Sequence, residues 1–571
     1  MPEQPRFDCY YNYDQLTEQL QSLASSYPQL LKVESIGKSF QGRDIWLVTL
    51  THSQTGEADR KPAVYIDGNI HATEVSASMA CLYFLWWMVQ RYGSDPEVTR
   101  CLDTRAFYVV PRLNPDGPEQ YLSPERKAIR SSVRPYPYDE EPIGGLRRQD
   151  MDGDGRILTM RVRDPNGPWK VSDRDLRLMV RREPTETDGV FYRLLPEGTI
   201  EDYDGYTIVM QQTKEGLDLN RNFPAEWRPE NEQHGAGPFP TSEPEVRAAA
   251  AFITAHRNIV AGISFHTYSG VLLRPYGTRS DEAFPAEDLW VYQAIGEKGR
   301  ELTGYPAISV YHDFRYHPKE VITGVFDDWL YDHFGVYGWT VEIWCPQREA
   351  GIATFGPDRP EGGFKFIDWY RDHPVEDDLK LLEWNDRELA GKGFVEWYAF
   401  HHPQLGEVEL GGWDTSYCWR NPPPEMLASE LERFPRWLLW HASISPLLMV
   451  HNFTAQPLGD GAYRLQLVLD NAGWLPTYGS KKALERKAAR PIVVELELPE
   501  TAELCIGQIR QEVGHLEGRS YKGASAIGWV ADPTEHRCKV EYVVRGPAGG
   551  VVRAKINGER AGSLTAECIL P

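Results

Sequence analysis

Continuous apolar runs bounded by turn residues constrain the fold of this chain more than any other feature. Ala63–Ile66 is such a run, and AGISFHTYSG and YGWTVEIW later in the chain have the same character. Runs of this kind are typical of strands buried on both faces. Helical patterns at Glu243–Arg257 and Glu287–Leu302 lie between or beside them. The alternation predicts an α/β fold in which helices flank a mixed, mostly parallel sheet.

The length of 571 residues exceeds what one hydrophobic core usually fills, so we expect more than one domain. A first domain is predicted at residues 1–445. Within it, residues 118–215 are dense in Arg, Asp, Pro and Gly and indicate a long insertion with local order of its own. Residues 373–445 are predicted to form a helical or irregular connection. Short strands separated by turns then predict a β-sandwich domain at 446–571.

Charge and hydropathy exclude two classes of partner. Lys and Arg number 61 against 83 Asp and Glu, which gives a net charge of −22 and disfavours nucleic-acid binding. The most apolar stretch, Ala77–Val89, is too short to cross a membrane core of about 30 Å. The N-terminus of this chain lacks the pattern of a signal peptide, and its eight cysteines show no CxxC pair. Both features favour a cytoplasmic protein with reduced thiols.

A histidine and a glutamate with metal-ligand chemistry follow the first buried run. His71 and Glu74 lie three residues apart in GNIHATE, in a turn that can direct both side chains to the carboxyl edge of the sheet. His266, at the end of another predicted strand, could supply the third ligand of an open zinc site. The HxxE pattern alone is weak, because a chain with 15 histidines produces such matches by chance.

Five motifs in a fixed order strengthen this interpretation: GNIHATEVSAS, NPDG, LDLNRNFP, SFHTYSG and WTVEIW. Over roughly Tyr10 to Asp372, their order and context resemble the zinc carboxypeptidase family, the carboxypeptidase A-like metallopeptidases. The resemblance implies that the first domain is catalytic and that the protein is a zinc-dependent metallocarboxypeptidase. Its substrate would be a peptide with a free C-terminal carboxylate, cleaved at the C-terminal peptide bond.

The resemblance also implies roles for particular side chains. They are His71, Glu74 and His266 as zinc ligands, Glu342 as general base, Asn220 and Arg221 as the pair that binds the substrate carboxylate, and Asp218 as the acid that accepts the second N–H of a zinc-bound histidine. A guanidinium suits the carboxylate because it offers a planar pair of donors. Burial among tryptophans and aliphatic residues would raise the pKa of Glu342, as a general base requires.

Two positions implied by the family are less sharply placed. The arginine that stabilises the oxyanion should follow NPDG by about a dozen residues. Arg130 and Arg134 both fit, and Arg126 is a further candidate; we favour Arg130. The tyrosine that covers the substrate should precede GVFDDW, where Tyr316 or Tyr311 could serve.

A possible calcium site lies in the insertion. Asp150, Asp152 and Asp154 alternate with other residues before Gly155, as at the start of a calcium loop. The twelfth position is Arg161 instead of the bidentate glutamate of an EF-hand. An acidic, glycine-rich surface turn is the alternative interpretation.

Two other functions remain open at this point. The same zinc site could hydrolyse a peptidoglycan peptide or a γ-glutamyl amide. The chain could also be a catalytically silent binding protein that keeps the fold, although a binder has no need of a general base such as Glu342. The sequence does not determine the oligomeric state.

Overall fold

A computed structural model of the chain describes residues 4–140, 144–317, 319–355, 366–520 and 533–571. The strands before the C-terminal unit are β1 (Leu31–Lys38), β2 (Asp44–Leu50), β3 (Ala63–Gly68), β4 (Ala106–Val110), β5 (Gly145–Arg148), β6 (Thr159–Arg163), β7 (Trp169–Val171), β8 (Met179–Arg181), β9 (Tyr192–Pro196), β10 (Gly198–Glu201), β11 (Ile259–Thr267), β12 (Val271–Arg274), β13 (Ala307–Ser309), β14 (Tyr337–Ile343), β15 (Phe394–His402) and β16 (Gly406–Trp413). The α-helices are α1 (Tyr13–Ser26), α2 (Val75–Arg91), α3 (Pro96–Thr104), α4 (Gly117–Leu122), α5 (Pro244–Ala255), α6 (Ala286–Thr303), α7 (Phe326–Phe334), α8 (Pro346–Glu349), α9 (Phe366–Arg371), α10 (Val375–Glu388), α11 (Pro424–Leu431), α12 (Pro435–Ser443) and α13 (Lys481–Glu485).

An eight-stranded sheet forms the centre of the first part, in the order β1-β2-β4-β3-β11-β14-β12-β13. The four central strands β4, β3, β11 and β14 are mutually parallel and buried along their whole length. Successive residues of β3 face opposite cores: Val64 and Ile66 pack with α2, whereas Ala63 and Tyr65 pack with α5 and α7. This two-sided burial explains the continuous apolar runs. The predicted α/β fold with a mixed, mostly parallel sheet is confirmed.

A second sheet joins the insertion to a later hairpin. Its order is β15-β16-β6-β9-β7-β8, and β16 meets β6 with Leu410 opposite Met160. β15 and β16 were not predicted, and they lie where the sequence pattern favoured a helical or irregular connection over residues 373–445. Most side chains of β15 are half-buried or exposed, so its hydrophobic pattern is weak. β15 pairs with the adjacent β16, and β16 pairs in turn with β6, which lies more than 200 residues earlier in the chain.

The C-terminal unit consists of two four-stranded antiparallel sheets. Its strands are β17 (Leu448–Gly459), β18 (Ala462–Asn471), β19 (Ile492–Glu497), β20 (Glu503–Ile506), β21 (Arg510–Gly514), β22 (Arg537–Arg545), β23 (Val551–Asn557) and β24 (Ser563–Ile569). One sheet has the order β17-β18-β22-β20 and the other β21-β19-β23-β24. Alternate side chains of both sheets, such as Leu467 and Val494, share one core. This is the predicted β-sandwich.

The sandwich unit contacts the first part at the end of α7. Buried Arg560 donates from Nη1 to the carbonyls of Tyr478 (2.8 Å) and Gly335 (3.4 Å) and from Nη2 to that of Phe334. Ser480 Oγ donates to the Gly335 carbonyl at 2.7 Å. Gly335 has φ +61°, and a Cβ there would lie 2.2 Å from the backbone nitrogen of Ala483, so only glycine fits. The C-terminal unit therefore caps a helix of the first part.

Membrane insertion through a helix has no support in the part of the chain that the structure describes, since none of its helices is both long and apolar enough to span a bilayer.

Candidate metal centre

The loop after β3 is held in place by its own polar side chains. Asn69 adopts a left-handed conformation with φ 59°, which reverses the chain at the carboxyl end of the strand. Its amide donates to the carbonyl of His71 at 2.6 Å and accepts from Ser78 Oγ at 2.7 Å. Ser131 Oγ donates to the carbonyl of Ile70 at 2.6 Å. These bonds fix the backbone from which His71 and Glu74 project.

Strand register brings the distant residues to the same edge. In β11, Phe265 lies opposite Gly68 of β3, and His266 lies opposite Glu342 of β14. Because these strands are parallel, their carboxyl ends meet at one edge of the sheet. His266, Glu342 and the loop that carries His71 therefore converge there.

Three potential ligands meet in a buried cluster. His71 Nδ1 lies 3.0 Å from Glu74 Oε1 and 3.1 Å from His266 Nδ1. His266 Nδ1 lies 3.1 Å from Glu74 Oε2. All three side chains are at least 96% buried. This is the trio predicted from the sequence, and its geometry could hold a metal ion.

The outer ring nitrogens of both histidines have partners that define the tautomers. His71 Nε2 lies 3.1 Å from Asp218 Oδ1, so the carboxylate accepts its N–H. His266 Nε2 lies 3.2 Å from Ser264 Oγ, which in turn donates to Asp67 Oδ1 at 2.5 Å. The serine hydroxyl proton is thus committed to Asp67, and its oxygen accepts the histidine N–H.

This assignment leaves an unprotonated Nδ1 on each histidine, and the two lone pairs face each other beside a carboxylate. Such a donor set is repulsive unless a cation lies among its atoms. Two imidazole nitrogens and one carboxylate are ligands that Zn²⁺ accepts in open catalytic sites. The spacings are close to the edge of about 3.3 Å of a tetrahedron with zinc–ligand bonds of 2.0–2.1 Å. The residues therefore fit a zinc ion.

Electrostatics adjust the cluster for metal binding. Burial lowers the pKa of His266, which keeps the imidazole neutral and able to coordinate. Burial alone would raise the pKa of Glu74, but His71 and His266 hold it well below its ordinary value when they carry a proton, and a bound cation would act in the same direction. Glu74 is therefore an anion, the form in which a carboxylate binds metal.

Glu342 lies beside the cluster with an unused oxygen. Its Oε2 is buried and has no hydrogen-bond partner among the described residues. Burial, followed by the negative charge of Glu74, raises the pKa of Glu342 well above its ordinary value. An unpaired carboxylate with a raised pKa can accept a proton more readily than an exposed one.

The structure separates the candidate arginines. Arg130 Nε donates to Asp218 Oδ2 at 2.9 Å, and its Nη1 lies 3.7 Å from Glu74 Oε1. Its carbonyl accepts from the backbone nitrogen of Ala72 at 3.1 Å, within the loop of His71. Arg134 instead points to Glu243, with Nε donating to Oε2 at 2.9 Å. The guanidinium of Arg126 lies over the ring of Tyr417.

Asn220 and Arg221 lie on the Asp218 side of the centre. Asn220 Oδ1 accepts from the backbone nitrogen of Phe326 at 2.9 Å, at the start of α7. Arg221 Nη1 donates to the carbonyl of Asn220 at 2.7 Å and lies 3.8 Å from Asp218 Oδ2. Gly324, with φ +67°, crosses this backbone so closely that a Cβ would lie 2.2 Å from the Arg221 carbonyl. The buried guanidinium of Arg221 makes no further hydrogen bond within the described ranges.

The two candidate tyrosines have different surroundings. Tyr316 is 43% exposed, and its carbonyl accepts from Arg371 Nη2 at 3.1 Å. Burial alone would lower the pKa of Arg130, but Asp218, Glu74 and Tyr316, in that order, outweigh burial and raise it, which puts Tyr316 within electrostatic range of Arg130. The ring of Tyr311 instead makes a cation–π contact with the guanidinium of Arg315. Tyr316 is thus the candidate on the side of the metal centre.

The acidic turn of the insertion presents a different set of candidate calcium ligands from the one expected. Asp150 and Asp152 form a possible metal-binding group with Glu197. Asp154 turns away, and its Oδ2 accepts from Arg156 Nε at 2.8 Å. Asp150 accepts from the backbone nitrogens of Gly153 (2.7 Å) and Gly155 (2.8 Å), so the turn satisfies part of its own charge. Calcium binding at Asp150, Asp152 and Asp154 stays a prediction.

Three side chains near the centre were absent from the sequence analysis. Ser264 and Asp67 orient His266, and Asp67 could have been noticed as a charge within the buried run VYIDG. Arg420 Nη1 lies 4.0 Å from Glu74 Oε1. It comes from a segment almost 350 residues after Glu74, and no local pattern marks it.

Comparison with known proteins supplies two family matches. A model described as zinc carboxypeptidase matches residues 16–359, and a model described as a domain of unknown function matches residues 447–569. Carboxypeptidase A1 of Rattus norvegicus is 24% identical over 61% of this chain and 65% of the relative. Carboxypeptidase B of Astacus astacus is 26% identical over 61% of this chain and 88% of the relative.

The solved carboxypeptidase A from Helicoverpa armigera is 17% identical with a TM-score of 0.38, over 68% of this chain and 76% of that chain. This chain spans slightly less than two thirds of the length of the first curated relatives that it matches, the A1 enzymes of rat and mouse.

Proposed function

Because this chain belongs to the zinc carboxypeptidase family, we propose that it is a zinc-dependent metallocarboxypeptidase that removes the C-terminal residue of peptides. The observation that carries the proposal is the convergence of His71 Nδ1, His266 Nδ1 and the Glu74 carboxylate beside the unpaired oxygen of Glu342. A binding protein would have no use for a buried carboxylate of raised pKa at that position.

Each residue of the centre has a distinct part in the proposed reaction. Zinc, when bound by His71, Glu74 and His266, supplies Lewis-acid chemistry that lowers the pKa of water and polarises a carbonyl. Glu342 takes a proton from the attacking water at its unpaired Oε2 and passes it to the leaving amine. Arg130 donates hydrogen bonds to the carbonyl oxygen as negative charge develops on it.

The substrate carboxylate is assigned to Arg221 and Asn220. The Arg221 guanidinium is buried and retains donors that the described residues do not use, which favours an anionic ligand. Asp218 contacts His71, Arg130 and Arg221 together, so it sets their relative positions. Among the described residues it is the link between the metal centre and the proposed carboxylate site.

Replacing Arg221 by methionine tests this assignment. The variant should cleave N-acyl dipeptides with a free carboxylate about 10- to 100-fold less efficiently, because one charged hydrogen-bonding partner is lost. Cleavage of the corresponding peptide amides should change far less, since they offer no anion. The measurement is kcat/KM for both substrate types with zinc-loaded protein.

Arg228→Met is the matched control, because Arg228 is a partly exposed arginine of the same region that lies near Glu232 instead of Asp218. An equal loss for acids and amides in Arg221→Met would contradict the exopeptidase assignment. Hydrolysis of muropeptides or γ-glutamyl amides, with none of acyl-dipeptides, would favour a different amide substrate at the same centre. Absence of any turnover by the zinc-loaded protein would favour a silent binding protein.

Calcium at the acidic turn is a separate prediction about cofactors. Calcium should raise the melting temperature of the wild type through mass action, which contributes about 2.7 kcal/mol at a hundredfold excess over Kd. Asp150→Asn should abolish this increase, whereas Asp204→Asn, in a turn of the same insertion, should leave it intact. Melting curves with and without calcium, at constant zinc, make the comparison. Identical curves for wild-type protein would show that the turn does not bind calcium.

A further inference from the structure

An aromatic cavity of about 470 Å³ lies next to the metal centre. Four tryptophans line it, from the second sheet and from the short helical segment Thr415–Arg420: Trp169, Trp397, Trp413 and Trp419. Tyr268 and Arg420 complete the side that faces the metal centre. The volume is within the range of about 300–1,000 Å³ that is typical of ligand sites.

Tyr268 and Arg420 connect the cavity to the metal centre. Tyr268 follows the ligand His266 by two residues, and the guanidinium of Arg420 lies 5.0 Å from the centre of its ring. Arg420 Nη1 also lies 4.0 Å from Glu74 Oε1. The neighbouring Asn421 donates to the carbonyl of Thr73 at 2.9 Å and accepts from the backbone nitrogen of Ser76 at 3.1 Å. The segment of Arg420 is thus fixed against the loop of His71 and Glu74.

The walls of the cavity leave binding capacity unused. Trp397 Nε1 donates to the carbonyl of Arg177 at 2.8 Å, which fixes that ring. Trp169, Trp413 and Trp419 are half-buried, and their indole N–H groups donate to no other described residue. Aromatic walls with a few polar groups suit a large apolar side chain, particularly an aromatic one that can stack.

The position of the cavity indicates which part of a substrate it would receive. Arg221, the proposed carboxylate ligand, lies near Asp218, and Asp218 contacts the outer nitrogen Nε2 of His71. Arg420 instead lies near Glu74 and the ring of Tyr268, next to the other two ligands. A peptide with its terminal carboxylate at Arg221 would therefore extend its amino-terminal portion towards Tyr268 and the cavity.

We propose that this cavity is a substrate subsite that binds a large aromatic or apolar side chain on the amino side of the scissile bond. The inference rests on the proposed carboxypeptidase function and adds to it a preference for a large apolar side chain at a position before the scissile bond. Trp397, Trp413, Trp419 and Arg420 lie beyond residue 359, after the stretch that matches the zinc carboxypeptidase model. The preference would accordingly come from structure that this chain adds to the family domain.

Peptides that differ at one position test the proposal. All peptides are N-acetylated tetrapeptides with the same last two residues. One series compares tryptophan with alanine at the first position, and the other makes the same comparison at the second position. In the series whose position reaches the cavity, wild-type protein should cleave the tryptophan peptide with a kcat/KM about 10- to 100-fold higher than that for the alanine peptide. A ratio of this size is the effect of burying one large apolar side chain. In Trp169→Ala this ratio should fall towards one, and Trp169→Phe should restore part of it.

Trp290→Ala is the matched control, since Trp290 is an exposed tryptophan on α6, and it should retain the wild-type ratio. Melting curves establish that each variant is folded. Equal hydrolysis of the tryptophan and alanine series by wild-type protein would overturn the subsite while supporting the carboxypeptidase function. Preference for a sugar-bearing acyl group over tryptophan would overturn the proposed ligand class.

Failure of the carboxypeptidase function is distinguishable from failure of the subsite. If neither series is hydrolysed, calorimetry with the same acetylated tryptophan peptide still measures the cavity. Binding that weakens in Trp169→Ala but not in Trp290→Ala would support the cavity alone. Binding that is unaffected by Trp169→Ala would overturn it.

Discussion

Glu342→Gln should reduce kcat by about 10²- to 10⁴-fold while leaving the zinc content at the wild-type value. The amide has nearly the shape of the carboxylate, so it should fit the same buried position. It cannot accept a proton at the oxygen that is unpaired in the structure. Metal analysis of the purified variant and steady-state hydrolysis of an acyl-dipeptide provide the two measurements.

The combination of results is diagnostic. Loss of zinc together with activity would indicate that Glu342 is a ligand, contrary to its assignment as the base. Retention of activity with full zinc would remove it from the mechanism. Glu349→Gln serves as control, because Glu349 follows β14 but pairs with Arg348 outside the metal centre.

Arg130→Met should lower kcat by about 10²- to 10³-fold, the usual cost of removing one donor from a developing oxyanion. The position of Arg130 supports this expectation, since its guanidinium lies between Glu74 and Asp218. The substrate KM should change less than kcat, because the bond strengthens mainly in the transition state. Rates at saturating acyl-dipeptide measure the effect.

Arg134→Met is the comparison that the sequence itself offers. Arg134 has the same residue type four positions away, but its partner is buried Glu243. Its removal should lower stability by leaving that carboxylate unpaired, and kcat of the folded protein should stay near the wild-type value. A larger loss of kcat in Arg134→Met than in Arg130→Met would reverse the assignment.

The sequence was most informative where function and local pattern coincide. The buried runs predicted the central sheet because two-sided burial leaves a continuous apolar signature. His71 and Glu74 share a loop directly after such a run, and His266 ends another. Their convergence follows from parallel strands that finish at one edge.

Features that depend on contacts between distant parts of the chain could not be predicted from the local sequence pattern. Arg130 and Arg134 differ in partner, not in local pattern, and the backbone bond between Ala72 and Arg130 decides which one reaches the centre. Glu197 joins Asp150 and Asp152 from 45 residues further along the chain. The hairpin β15–β16 acquires its position through β6 of the insertion, and Arg420 acquires its position through the bonds of Asn421 to the loop of His71 and Glu74.

The helix α7 begins beside the proposed carboxylate site and ends in contact with the sandwich unit. The backbone nitrogen of Phe326, its first residue, is bound by Asn220. The carbonyls of Phe334 and Gly335 at its other end are bound by Arg560, and that of Gly335 also by Ser480. The two units are consequently not exchangeable parts. A relative without the sandwich would need another way to satisfy those carbonyls, and a foreign sandwich would have to bring an arginine and a hydroxyl to the same place.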